Sequence, residues 1–107
     1  MSAFDDREHG FEAKFTHDQE IAFKVDARRN KLLGLWAAQL MGKSQEEAET
    51  YAKSLVIGKL KDMTTDGLMR RLIADFAAAG VAMSEHRLQK QIEETTEIAR
   101  EQIRGES

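Results

Sequence analysis

The side chains with the greatest capacity for chemistry in this sequence lie in one basic cluster. Arg28-Arg29-Asn30-Lys31 is the one concentrated positive feature of the chain. Clustered guanidinium and ammonium groups bind phosphate or acidic protein surfaces, so Arg28, Arg29 and Lys31 are candidate contacts to an anion or a nucleotide. A solvated helix face, or pairing within the chain with the acidic N-terminal residues, accounts for the same cluster more simply.

The remaining reactive residue types favour neither a metal site nor an active site. His9, His17 and His86 are far apart in sequence, and the chain has no cysteine, whereas a zinc centre needs several such ligands at suitable spacing. Ser44 and Ser84 precede helical patterns and fit helix caps better than nucleophiles. We therefore predict no enzyme activity, no cofactor and no metal. Control of activity by the pH of the surroundings, through His9 and His17, is left open.

The composition predicts an all-α fold that would position these residues. The 107 residues include no proline, and the abundant residue types are good helix formers. The length suits one domain. No run of about 18 apolar residues is present, so we predict no membrane insertion, and the polar N-terminus does not resemble a signal peptide. The cytoplasm is the expected location.

Apolar spacing and helix caps predict four helices. The first is expected from about Asp18 to Met41, with an apolar stripe of Ile21, Val25, Leu32, Leu35, Trp36 and Leu40. The second begins with a capping box from Ser44 to Glu47. The third has an N-cap among residues 64–66, and Ser84 caps the fourth. Short connections favour antiparallel neighbours, so residues 18–107 are expected to form a small four-helix bundle.

Residues 1–17 differ from the rest of the chain. Phe4, Phe11 and Phe15 are spaced by seven and four residues, which places them on one side of a helix. Residues 1–20 contain six acidic and two basic residues, a net charge of −4. We interpret residues 1–17 as a flexible, partly helical arm that becomes a helix on a surface. The alternative is that the phenylalanines fold back and complete the bundle core.

Several motifs together resemble one family. They are Phe4-Asp5-Asp6-Arg7-Glu8, Phe11-Glu12-Ala13-Lys14-Phe15 and the long run Ala27-Arg28-Arg29-Asn30-Lys31-Leu32-Leu33-Gly34-Leu35-Trp36. They resemble the ATPase inhibitor subunit zeta family of alphaproteobacteria, over essentially the whole chain. The resemblance implies a four-helix bundle whose mobile N-terminal arm binds the catalytic head of the F-type ATP synthase and blocks ATP hydrolysis. It also implies a location peripheral to the inner membrane.

The resemblance places the partner-binding residues in the arm. The phenylalanines would enter a groove between catalytic subunits, and charged residues would set the register: Asp5, Asp6, Arg7, Glu8, Glu12 and Lys14. No nucleic acid partner is expected, because one basic band in an acidic chain is not the usual footprint of nucleic-acid binding. Two other functions remain open. One is a small nucleotide- or anion-binding regulator that uses the basic cluster, and the other is an assembly factor of the same complex.

Overall fold

The computed structural model describes the backbone of residues 3–60 and 64–106, and the side chains of residues 17–57 and 64–106. These residues form four α-helices and no strand: α1 (Ala3–Leu40), α2 (Gln45–Leu60), α3 (Thr65–Ala78) and α4 (Glu85–Glu106). The predicted all-α, four-helix fold is confirmed. None of the helices in this part of the chain is both long and apolar enough to cross a membrane.

Helix α1 begins earlier than the apolar spacing predicts. It starts at Ala3, whereas the pattern places the start near Asp18. The physical reason is that one glycine inside a helix, Gly10, costs only about 1 kcal/mol relative to alanine, and no proline interrupts the run. A helix of this length measures about 57 Å, which accounts for most of the 64 Å long axis of the molecule.

The helix ends follow the predicted caps. The backbone N–H of Ser44 donates to Oε1 of Glu47 at 3.0 Å, and the Ser44 hydroxyl accepts from the Glu47 N–H at 3.2 Å. The hydroxyls of Thr64 and Ser84 each accept from the backbone N–H three residues later, at 3.0 and 3.1 Å. Gly80 has a φ of +75°, the left-handed conformation typical of a helix end. These local motifs mark the starts of α2, α3 and α4 and the end of α3.

The core forms where α1 meets the other three helices. Asn30 of α1 contacts Leu55 of α2, and Gly34 lies against Ala52, so α1 and α2 run antiparallel. The largest cluster of buried residues takes side chains from all four helices: Leu33, Ala37, Leu55, Leu68, Leu72, Phe76, Leu88 and Ile92. Trp36 packs the edge of its ring against Phe76, with 5.7 Å between ring centres. Trp36, a member of the predicted apolar stripe, thus lies at the edge of the core.

A second buried cluster joins α1 to the C-terminal half of α4. It contains Val25, Ala99 and Ile103. Helix α1 therefore buries two sides, one against α2 and one against α4. The single predicted stripe misses this arrangement: Leu33 is fully buried, whereas Leu40 is 39% exposed.

Candidate functional site

The predicted arm is part of the longest helix of the molecule. Its backbone forms the first turns of α1, from Ala3 onward, and is continuous with the helix that enters the bundle. The side chains of the predicted partner-binding residues lie outside the described ones: Phe4, Asp5, Asp6, Arg7, Glu8, Phe11, Glu12, Lys14 and Phe15. Their predicted role stays a prediction.

Arg28 is engaged within the chain by the C-terminal end of α4. Its Nη1 donates to Oε1 of Gln102 at 2.7 Å, and its Nη2 donates to Oε1 of Glu106 at 2.7 Å. The two bonds join residues far apart in sequence, on neighbouring helices. Arg28 is thus paired within the chain, but its partners lie at the end of α4 and not among the acidic N-terminal residues that the sequence suggests.

Arg29 lies in the interior of the protein, beside Asp26 and Asn30 of the same helix. Its side chain is nearly buried, its Nε donates to Oδ1 of Asn30 at 3.1 Å, and its Nη1 lies 3.7 Å from Oδ1 of Asp26. Asn30 in turn donates from Nδ2 to the backbone carbonyl of Leu55 at 3.1 Å, so a buried amide links α1 to α2. Because buried polar groups need such partners, Arg29 and Asn30 act together in holding the two helices.

Lys31 is the member of the basic cluster that faces solvent. Among the residues whose side chains are described, none forms a hydrogen bond or ion pair with it. The structure therefore does not bring the three predicted anion contacts together. Arg28 points to α4, Arg29 is enclosed, and Lys31 lies on the side of α2.

A groove lies between α1 and α2. It has a volume of about 700 Å³ and is lined mainly by apolar side chains, Leu35, Ala48, Ala52, Val56 and Ile57, together with Lys31, Lys53, Gln45 and Glu49. Ile57 is 51% exposed. Sequence reasoning missed this groove. The adjacent apolar residues Val56 and Ile57 could have indicated it. Neighbouring positions of a helix point in different directions, so the two side chains cannot both enter the core.

A polar network fixes α2 to α3. The Tyr51 hydroxyl donates to Oδ2 of Asp75 at 2.6 Å, and Arg71 donates from Nη2 to the Ser54 hydroxyl at 2.7 Å. Burial raises the pKa of Tyr51 far above its usual range, and the hydrogen bond to Asp75 acts in the same direction. Tyr51 therefore stays protonated and holds the two helices together.

The described residues contain no group of three or more histidine or acidic side chains placed to hold a metal ion. The chain was also compared with known proteins. A family model described as ATPase inhibitor subunit zeta matches residues 1–102. The comparison with curated proteins found no match. Because the family model covers both the N-terminal segment and most of the four-helix bundle, the chain belongs to the ATPase inhibitor subunit zeta family.

Proposed function

We propose that this protein inhibits ATP hydrolysis by an F-type ATP synthase, and that residues 1–17 are the inhibitory segment that binds the catalytic head. The observation that carries the proposal is the family match, which includes this acidic, phenylalanine-bearing segment together with the bundle. The protein acts as a regulator and not as an enzyme, in the cytoplasm beside the inner membrane where the catalytic head of the synthase lies.

The mechanism follows from the chemistry of the segment. Phe4, Phe11 and Phe15 would enter a groove between catalytic subunits, where burial of each contributes up to about 3 kcal/mol. The acidic and basic side chains between them would pair at the rim and fix the register. A helix held between subunits that must move during the cycle obstructs rotation, without competing for the nucleotide site.

The continuity of α1 supports this mechanism. A segment that folds on binding loses several kcal/mol of interaction energy to ordering. The backbone of residues 3–17 already belongs to a helix that continues into the bundle. The bundle can therefore present the segment in a helical form and lower this ordering cost.

The test replaces Phe11 and Phe15 together by alanine. We expect loss of inhibition in an assay of ATP hydrolysis by the catalytic head, with an unchanged unfolding temperature. Ile98→Ala is the matched control, because Ile98 is 50% exposed on α4 and its loss should leave inhibition intact. Full inhibition by the folded double variant would contradict the proposed role of the segment.

The two alternative functions make different predictions. A nucleotide- or anion-binding regulator would show saturable changes at Arg28, Arg29 and Lys31 on titration with ATP or ADP. The separate environments of these three side chains give that function less support. An assembly factor without a regulatory role would leave ATP hydrolysis unchanged at every concentration of the protein.

A further inference from the structure

One broad face of the bundle has none of the described helices packed on it. Helix α1 lies between α2 and α4, because Asn30 bonds to the Leu55 carbonyl of α2 and Arg28 bonds to Gln102 of α4. Helix α3 packs Phe76 against the inner side of this three-helix layer. The outer side of the layer, formed by α4, α1 and α2, therefore faces solvent.

The α4 part of this outer face carries an apolar side chain between two acidic ones. Ile98 is 50% exposed and lies one turn before Gln102, which borders α1. Glu94 and Glu101 are four residues before and three residues after Ile98, so they flank it on the same side of the helix. Glu94 forms no hydrogen bond or ion pair with another described side chain, and Glu101 has only an exposed partner, Arg104. We call Glu94, Ile98 and Glu101 the acidic ridge.

The groove between α1 and α2 lies on the same outer face and has the opposite net charge. Lys31 and Leu35 follow Arg28 by three and seven positions, so all three share one side of α1, and the first two line the groove. Lys53 lines it from α2, and Glu49 is the one acidic residue among its lining residues. Both lysines are exposed, and neither forms a hydrogen bond or ion pair with another side chain in the described part of the chain. A partner that fits the groove therefore combines apolar and acidic side chains.

The acidic ridge and the groove lie at the same height along α1, on opposite sides of it. The bond from Asn30 reaches α2 two residues from Lys53. On α4, Glu94 lies two residues from Ile92, which packs in the same buried cluster as Leu33. Lys53 and Glu94 are therefore level with the same turns of α1. Such a face is complementary to a copy of itself, because a two-fold axis parallel to α1 places each ridge opposite the groove of the other copy.

We infer that this outer face binds a second copy of the chain, with the acidic ridge of each copy in the groove of the other. Charge complementarity carries the inference: Ile98 enters the apolar groove, and Glu94 pairs with Lys53 of the other copy. The same contact is made twice around the two-fold axis. The inference does not depend on the proposed function, because the interface uses residues of the bundle and not residues 1–17.

The size of the outer face fits a reversible dimer. Helix α2 has 16 residues, a length of about 24 Å, and the molecule is 25 Å wide across its helices. The face therefore offers roughly 600 Å² in each copy, which is the lower end of the area that specific complexes bury per partner. Permanent dimers bury considerably more, so we expect the two copies to separate on dilution.

The first experiment measures the mass of the full chain by sedimentation equilibrium over a range of concentrations. We expect the mass to rise from one chain to two. Ile98→Ala should raise the dissociation constant of the dimer at least tenfold, since the residue enters the interface once in each copy. The matched control is Leu40→Ala, at a residue of α1 that is 39% exposed and lies outside the groove and the ridge. A mass of one chain at every concentration up to about 1 mM, or an equal shift in the control, would overturn the inference.

The second experiment exchanges the two charges of the predicted pair. Lys53→Glu and Glu94→Lys should each weaken the dimer at least tenfold at low salt, because like charges then face each other. An equimolar mixture of the two variants should dimerise nearly as well as the wild type, since every contact of the mixed dimer again joins opposite charges. Arg70→Glu, at an exposed position of α3, changes the net charge as Lys53→Glu does and should dimerise like the wild type. A mixture that stays monomeric, although both variants unfold at the wild-type temperature, would refute the pairing of the ridge with the groove.

Discussion

Helix α1 packs on two neighbours in two different ways. Against α2 its contact is made of small residues and one buried amide, and the Gly34 position lies directly on Ala52. Its contact with the C-terminal half of α4 consists of a few apolar side chains and a solvent-accessible ion pair between Arg28 and Glu106. One contact depends on close approach of two backbones, and the other on longer side chains that can adjust. The first should therefore tolerate much less change than the second.

The largest effect is expected for Gly34→Val. A Cβ atom at this position would lie 2.7 Å from the Cα of Ala52, a backbone atom that cannot move without shifting α2. Overpacking of this kind costs about 3 kcal/mol. Urea denaturation followed by the fluorescence of Trp36, the one tryptophan of the chain, measures the loss.

Gly105→Ala is the control for Gly34→Val. An added Cβ at Gly105 meets no atom within 4 Å, so the better helix propensity of alanine should leave stability equal or slightly higher. Equal stability of wild type and Gly34→Val would show that the contact between α1 and α2 is looser than described.

A smaller loss is expected for Asn30→Ala. Asn30 is 1% exposed, donates to the Leu55 carbonyl and accepts from Nε of Arg29. Removal of its amide leaves a buried guanidinium N–H without that acceptor, at a cost of about 2 kcal/mol. Gln39→Ala, at an exposed position of the same helix, is the control. Thermal denaturation measures both variants. Equal unfolding temperatures of Asn30→Ala and Gln39→Ala would argue against a special role of the buried amide.

The smallest effect is expected at the α4 side. Arg28→Ala, Glu106→Ala and the double variant form a cycle whose coupling energy should be about 0.5 kcal/mol and should fall with added salt, because exposed ion pairs contribute little. Denaturation at low and at high salt measures it. A coupling energy as large as the loss in Asn30→Ala would remove the contrast between the two sides of α1.

Much of the fold was accessible from the sequence because it depends on local chemistry. The Ser44 capping box and the cap at Thr64 require residues only three positions apart, and sequence spacing displays such pairs directly. The start of α1 lies at Ala3 and not near Asp18, because Gly10 costs the helix only about 1 kcal/mol.

The less predictable features depend on partners distant in sequence. The Arg28 contacts join α1 to residues at the far end of the chain, and nothing near Arg28 in the sequence indicates them. The groove beside Lys31 combines residues of α1 and α2, among them Ala52, which lies against Gly34. A single apolar stripe could not describe a helix that buries two sides, so Leu33 was missed as a core residue.

The unbroken course of α1 has a geometric consequence. In a continuous helix the number of residues fixes the distance along the axis, since each residue advances it by about 1.5 Å. One continuous helix holds its N-terminal segment and the bundle at a fixed separation and a fixed angle around the helix axis. Insertion of one residue between Phe15 and Ile21 would rotate the segment by about 100° relative to the bundle, whereas insertion of seven would nearly restore the angle and lengthen the span. The spacing along α1 therefore encodes the shape of the surface that this protein can recognise.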